Sequence, residues 1–340
     1  MENFKVTPKN IGTNRFEFLQ NSNKRLSHID LKYYNPKWLI PNFILKNTLV
    51  SFYAMPGSGK SITSLFLGLY LLKNNQINKI YYIDADNGYA TLKNRGLEQI
   101  LKDYPNLIYI SQAKKTQQSD IDFKKLIFEL SNSAKNGTVE NDLIIIDSIR
   151  NFISGNMSYD NEVMPILDAL QSLRDYSAGV WFLNHQNKQN LANDENNKAY
   201  KGATAFFDSP DEAYFVKKRE RKENSLIVTL EPMKQRDDTL PQALIIDTLS
   251  TNIYFDDYFI YAMNEKQSQS LEYAKDIIFK NPSGINLQNL VTEIKRMSKI
   301  DEVEICGMNA LKKLLKQFDG RFYEIKLNTT SYNSLIFKPL

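Results

Sequence analysis

Polar positions dominate the first 35 residues, and the short mixed segment "NRFEFL" sustains neither a helical nor a strand period. From "PKWLIPNFIL" onward the pattern changes. Apolar runs of strand length, "LVSFYA", "KIYYID", "LIYIS", "LIIID" and "GVWFLN", alternate with longer helical stretches, the first of which follows Lys60. That rhythm predicts an α/β fold with a mainly parallel, doubly wound sheet. Around "DEAYFVKK", "SLIVTLEPM", "ALIIDTL" and "NIYFDD" only turns separate the strands, so the sheet is expected to finish in antiparallel hairpins. A polar break, "NEKQSQS" at 264–270, follows. Beyond it Leu287, Leu290, Val291, Ile294 and Met297 recur at helical spacing, as do Leu311, Leu314, Leu315 and Phe318. "RFYEIKL" and "SLIFKPL" then read as a hairpin.

These changes divide the chain into an N-terminal arm (1–35), an α/β domain (36–263) and a small α+β module (264–340), in which helices followed by a β-ribbon suggest a winged-helix-like domain. A length of 340 residues accommodates one large domain and a small second one. Charged residues at 24% and aromatic residues at 12% are ordinary for a folded protein. The single cysteine, Cys306, has no internal partner for a disulfide, and with only His28 and His185 a Cys/His metal cage is excluded. A reducing cytoplasm is the expected location. The segment "MENFKVTPKN" has no signal-peptide pattern, and the longest apolar stretch is too short to span a bilayer, so no membrane partner is expected. A net charge of +4 permits contact with nucleic acid without requiring it.

The sharpest chemistry lies in "AMPGSGKS", residues 54–61, between an apolar strand and a helix. In that layout backbone N–H groups and the helix N-terminus cradle phosphates, which brings Pro56, Gly57, Ser58, Gly59, Lys60 and Ser61 to a nucleotide. Lys60 would reach the β- and γ-phosphates and the Ser61 hydroxyl would bind Mg²⁺. Ala54 stands where the G-x-x-x-x-G-K-[ST] pattern begins with glycine; it adds one methyl at the strand end, which leaves the loop able to close. Such a loop needs an acid at the end of a second apolar strand to hold the metal, and "DLIIIDS" supplies Asp147.

Other strand ends carry further candidates. "YYIDADNG" offers Asp84 and Asp86, which alternation places on one face, where they could orient or deprotonate an attacking water. "LNHQNK" carries His185 and opens a polar stretch containing Lys188, Lys198 and Lys201, cations suited to a nucleic-acid backbone. "EPMKQRDD" places Lys234 and Arg236 two residues apart after a strand, so that both could reach one phosphate.

Taken in order, these motifs resemble the RecA-like ATPases, and among them the hexameric replicative helicases of the plasmid RepA and DnaB type, over roughly residues 36–255. "WLIPNFILKNTLVSFYAMPGSGKS" looks like that family's lead-in. The resemblance implies that Asp86 positions the attacking water, although the family usually carries Glu there. It implies that "LIIIDSIRNFISGNMSYDNEV" is the metal strand followed by a first DNA-facing loop with Asp160, Asn161 and Glu162. The stretch to Lys201 would be the second such loop, with His185 coupling it to the γ-phosphate. Asn184 stands where the family has a first histidine. "KQR" looks like the signature through which Lys234 and Arg236 enter a neighbouring subunit's nucleotide site, which implies a ring.

The expected function is therefore an ATP- and Mg²⁺-dependent, ring-forming DNA helicase or single-strand translocase in replication of a plasmid, phage or integrated element. Its partners would be single-stranded or forked DNA, further copies of itself, and a primase, polymerase or initiator protein. Three rivals remain at this level: an ATP-switched strand-binding or loading protein of the same fold, a P-loop kinase of small molecules, and an origin-binding replication initiator.

Overall fold

A computed structural model describes residues 17–20, 22–114, 121–137, 139–186, 200–328 and 334–340. Two short helices, α1 (Glu17–Gln20) and α2 (His28–Lys32), precede a hairpin of β1 (Trp38–Ile40) and β2 (Ile44–Leu45), turned at Asn42 with φ 55°. The nucleotide-motif strand β3 (Leu49–Ala54) leads into α3 (Lys60–Lys73). Then come β4 (Ile80–Asp84), α4 (Tyr89–Asn94), α5 (Leu97–Asp103), β5 (Leu107–Ser111), α6 (Phe123–Ala134) and β6 (Leu143–Asp147). After one 3₁₀ turn follow α7 (Asp160–Asp175), β7 (Gly179–His185) and α8 (Ala205–Asp208). The hairpin strands are β8 (Glu212–Arg221), β9 (Ser225–Lys234), β10 (Gln242–Asp247) and β11 (Asn252–Asp256).

These strands form one nine-stranded sheet in the order β11-β10-β9-β8-β3-β7-β6-β4-β5. From β8 to β5 all neighbours are parallel, and from β8 outward all are antiparallel, as the change from helix-separated to turn-separated runs predicts. The central strands read as unbroken apolar runs because both faces are covered. Ile145, Trp181 and Leu183 enter the core under α3, whereas Ile144, Ile146, Val180 and Phe182 enter the core under α7. Gly68 lets α3 lie close on the sheet, since a Cβ there would stand 3.0 Å from the Ile80 side chain and 3.4 Å from that of Ile145.

The polar stretch at 264–270 is helical. Asn264 and Gln267 form a reciprocal capping box that starts α10 (Glu265–Phe279), after the short α9 (Tyr258–Ala262). The polarity that marks a break in the sequence is thus the first turn of a helix whose apolar face begins at Leu271. Then follow β12 (Ile285–Asn286), α11 (Leu287–Ile300), α12 (Met308–Gln317), β13 (Tyr323–Asn328) and β14 (Ser334–Pro339). The strands make a separate antiparallel sheet in the order β12-β14-β13. Leu290, Ile294, Leu311, Leu315, Phe318 and Phe337 close a third apolar core beneath them. Among the described residues, no helix is long and apolar enough to cross a membrane.

Candidate active site

The carboxyl ends of β3, β4, β6 and β7 meet at one cavity of about 160 Å³, whose walls include Pro56, Gly57, Gly59, Lys60, Ser61, Asp86, Asp147 and His185. Parallel pairing brings these residues together: Ala54 is in register with His185, and Asp84 with Asp147. Ser58 lies in the turn, its N–H donating to the Met55 carbonyl at 3.3 Å. Gly57 and Gly59 take φ of 75° and 87°, left-handed values that a side chain would strain. Ala54, fully buried, is simply the last residue of β3, and its methyl does not obstruct the loop.

Lys60 is buried, and its ammonium donates to the carbonyls of Ala54 at 3.1 Å and Met55 at 3.3 Å. Burial lowers its pKa to about 8, partly offset by Asp147 and Asp86. Asp147 is likewise buried, and desolvation together with the neighbouring Asp84 carboxylate raises its pKa to about 6; hydrogen bonds from Ser61 and Tyr82 act the other way. No ion pair links Lys60 to Asp147 among the described residues, so a buried cation and a buried acid share the cavity without neutralising each other directly.

Two side chains that the motifs do not single out hold Asp147. The Tyr82 hydroxyl donates to its Oδ2 at 2.9 Å, and Asn87 Nδ2 donates to the same oxygen at 3.1 Å. Tyr82 also stacks on Tyr109 of β5, with ring centroids 4.8 Å apart. The signal for Tyr82 was its place two residues before Asp84 on an alternating strand. Tyr109 carries no such signal, because only the strand order puts β5 beside β4. Arg95, at the end of α4, also lines the cavity and was not among the sequence candidates.

Asp84 and Asp86 do not share a role. Asp84 is fully buried: its Oδ1 accepts the backbone N–H of Asp86 at 2.9 Å and of Asn87 at 3.0 Å, and its Oδ2 accepts the Tyr109 hydroxyl at 2.7 Å. It shapes the turn that carries Asp86 to the cavity wall. The expectation of two carboxylates on one strand face is corrected, since β4 ends at Asp84 and Asp86 lies beyond it.

His185 is half-buried, and burial together with the nearby Lys60 lowers its pKa. Its Nδ1 and the Ser148 Oγ are buried atoms without a hydrogen-bond partner among the described residues, and both residues line the cavity. Orphaned polar atoms on a cavity wall fit a polar ligand. The hard oxygens of Ser61 and Asp147 fit Mg²⁺, which is typically held by one or two carboxylates and substrate phosphates; no cluster of three or more metal-ligating residues exists among the described residues.

The polar stretch after β7 is clamped at its base. Gln186 pairs with Tyr200, the Gln186 N–H donates to the Ala54 carbonyl at 2.9 Å, and the Lys201 N–H donates to the His185 carbonyl at 2.8 Å. Lys201 is exposed, whereas Lys188 and Lys198 lie outside the described residues. Asp160, at the start of α7, accepts the Ala205 N–H at 3.2 Å and so joins the two loop regions.

Lys234 and Arg236 are at the opposite end of the sheet. Lys234 is in register with Ala213 near the start of β8, and the Asp211 N–H donates to the carbonyl of Leu49, the first residue of β3. The six residues of β3 put about 17 Å between that level and the phosphate loop. The two cations also part company: Lys234 Nζ donates to the Phe207 and Asp208 carbonyls, whereas Arg236 lies beyond the end of β9 and pairs with Asp211 at 2.9 Å. Asp211 is buried and also holds Arg174 at 3.0 Å.

Residues 26–190 match the family model described as AAA domain. No curated protein matches the chain. Among solved structures, the ATPase domain of a phage helicase aligns with a TM-score of 0.49 at 12% identity, covering 67% of this chain and 95% of that one.

Proposed function

From the premise that the chain carries an AAA-type, P-loop ATPase domain with a RecA-like core, we propose that it is an ATP-driven DNA helicase or single-strand translocase working as a ring, hexameric by family resemblance, in replication of a plasmid, phage or integrated element. The observation that carries this reading is the separation of its cations. Lys60 and His185 line the nucleotide cavity, whereas Lys234 and Arg236 sit about 17 Å away at the other end of the same strands. Arg236 is therefore out of reach of its own phosphate loop and available only to another subunit's.

In this reading Lys60 binds the β- and γ-phosphates, and Ser61 and Asp147 hold Mg²⁺, which when bound neutralises charge on the phosphates. Asp86 orients the attacking water and takes its proton. Lys234 and Arg236 of the neighbouring subunit stabilise the departing charge, a contribution of about 10³ to 10⁵ in turnover. His185, whose carbonyl holds the Lys201 amide, links phosphate state to the 186–201 segment, where Lys188, Lys198 and Lys201 engage the DNA backbone. The C-terminal unit, with its order helix, strand, two helices and hairpin, is of winged-helix type. A primase, polymerase or initiator would complete the replication assembly.

The test is steady-state ATP hydrolysis with and without single-stranded DNA, while Arg236→Ala is mixed into wild-type protein. Stimulation by DNA and a more than proportional loss of activity on mixing are expected. Hydrolysis indifferent to both would overturn the ring reading.

A further inference from the structure

The C-terminal segment holds twelve Lys and Arg residues against nine Asp and Glu, a small excess that is unevenly spread. Six of those cations sit in ion pairs. Lys266 pairs with Glu304, Lys275 with Glu272, Lys280 with Asp276, Arg296 with Glu293, Arg321 with Asp257 and Lys326 with Glu324. Of the other six, Lys295 and Lys299 are on α11 and Lys338 is on β14, and none has an ion-pair partner among the described residues. The remaining three, Lys312, Lys313 and Lys316, also lack such a partner there and share a single helix.

That helix, α12, contains no acidic residue. Leu311, Leu314 and Leu315 bury one side of it, and Asn309, Lys312, Lys313 and Lys316 follow the i, i+3, i+4, i+7 spacing of the opposite side, all exposed. A solvated helix face ordinarily mixes charge signs, as α10 does with Glu272 beside Lys275 and Asp276 beside Lys280. The α12 face carries three like charges within two turns, a repulsive arrangement that a polyanion would relieve.

We propose that the exposed face of α12 is a docking surface for the backbone of double-stranded DNA, independent of the strand contacts near the nucleotide cavity. A helix of about 10–12 Å diameter fits the roughly 12 Å major groove of B-form DNA. Lys312 and Lys316 are one turn apart, about 6 Å along the axis, which spans about two phosphate steps of one strand. A-form RNA is disfavoured because its deep, narrow major groove does not admit a helix. Single strands are disfavoured because their binding surfaces interleave cations with aromatic platforms, and the α12 stripe has no aromatic residue. Only Asn309 among its polar residues is suited to a base edge, so binding is expected to be weakly sequence-selective. The surface stands whether or not the ATPase unwinds DNA, since its evidence lies wholly within the C-terminal module.

The test uses the full chain and fluorescence anisotropy with a labelled 30-base-pair blunt duplex, titrated between 50 and 200 mM salt. The variant K312Q/K313Q/K316Q is compared with the charge-matched variant K266Q/K275Q/K280Q, and circular dichroism checks the fold of both. The α12 variant is expected to bind duplex about ten- to a hundredfold more weakly, with a salt slope shallower by about 2.7, or 0.9 for each of three lost contacts. The charge-matched variant should stay within about twofold of wild type, and both should keep DNA-free ATP hydrolysis. Equal losses in the two variants would reduce the effect to net charge and overturn the proposal. So would an α12 variant that binds like wild type, or a wild-type chain that ignores duplex at 50 mM salt. A protein partner for this face would appear as the second of these outcomes.

Discussion

The two ends of the nine-stranded sheet treat buried charge in opposite ways. At the carboxyl ends of the parallel strands, Lys60 and Asp147 are both buried with no ion pair between them, and Asn87 and Tyr82 hold the acid from behind. At the other end Asp211 is as buried, yet it carries two guanidinium groups and accepts the Leu49 N–H. The first arrangement costs stability and is completed only by a ligand with phosphates and a cation. The second is complete within the chain and positions β8 against β3. The comparison teaches that an unneutralised pair of buried charges marks the working end more reliably than the number of charges does.

The sharpest way to break that comparison is to remove the unpaired cation. Lys60→Ala should lower ATP hydrolysis at least about a hundredfold while leaving the fold intact, because the ammonium contacts only two backbone carbonyls in the free chain. Steady-state turnover and circular dichroism check both halves.

The opposite end should respond in stability first. Asp211→Asn strips the acid from Arg174 and Arg236, and a loss of about 2 kcal/mol is expected, below the range for fully buried pairs because the Arg236 side chain is 61% exposed. Arg236→Ala should cost less than about 1 kcal/mol for the same reason. Denaturant titrations of the two variants measure the contrast.

Nucleotide affinity should be confined by pH from both sides. Asp147 loses its charge as pH falls through about 6, and Lys60 loses its own as pH rises through about 8, so affinity of the free chain peaks between them. Asp147→Asn should lower the maximum and abolish the acid limb. Lys60→Arg should abolish the alkaline limb, since guanidinium does not titrate there. Fluorescent-nucleotide titrations between pH 5 and 9 read all three profiles.

The smallest effect is a gain. Glu212, fully buried beside Asp211, has its pKa raised from 4.5 to about 8, chiefly by desolvation. The folded chain therefore binds more protons than the unfolded one between those values, and its stability should increase as pH falls through that window. Glu212→Gln should remove that slope and stabilise the chain at neutral pH by about 1 kcal/mol, as melting curves at pH 5 and 7.5 would register.

Much of the parallel sheet was legible because β3, β4, β6 and β7 are apolar runs that end on chemically distinctive residues. Lys60, Ser61, Asp147 and His185 could be named from those ends, and the structure gathers them around one cavity. What stayed hidden depended on strand order. Nothing local to Tyr109 says that β5 will lie beside β4, or that its hydroxyl will hold Asp84. Alternation also misled twice where a strand stopped early: Asp86 and Arg236 both lie just past a strand end, where the period of two no longer governs direction. The helix at 265–279 was masked by its own polar first turn, which caps it instead of breaking the chain.

The Gln186–Tyr200 clamp carries a consequence for evolvability. Because both stems are fixed to the end of β3 and to each other, the chain between them can change length or composition without moving the phosphate loop. Loop-closure entropy rises by only about 0.6 kcal/mol for each doubling of length. Selection can therefore redesign what this segment touches while the nucleotide pocket is inherited unchanged, and a tag or reporter inserted there should be tolerated for the same reason.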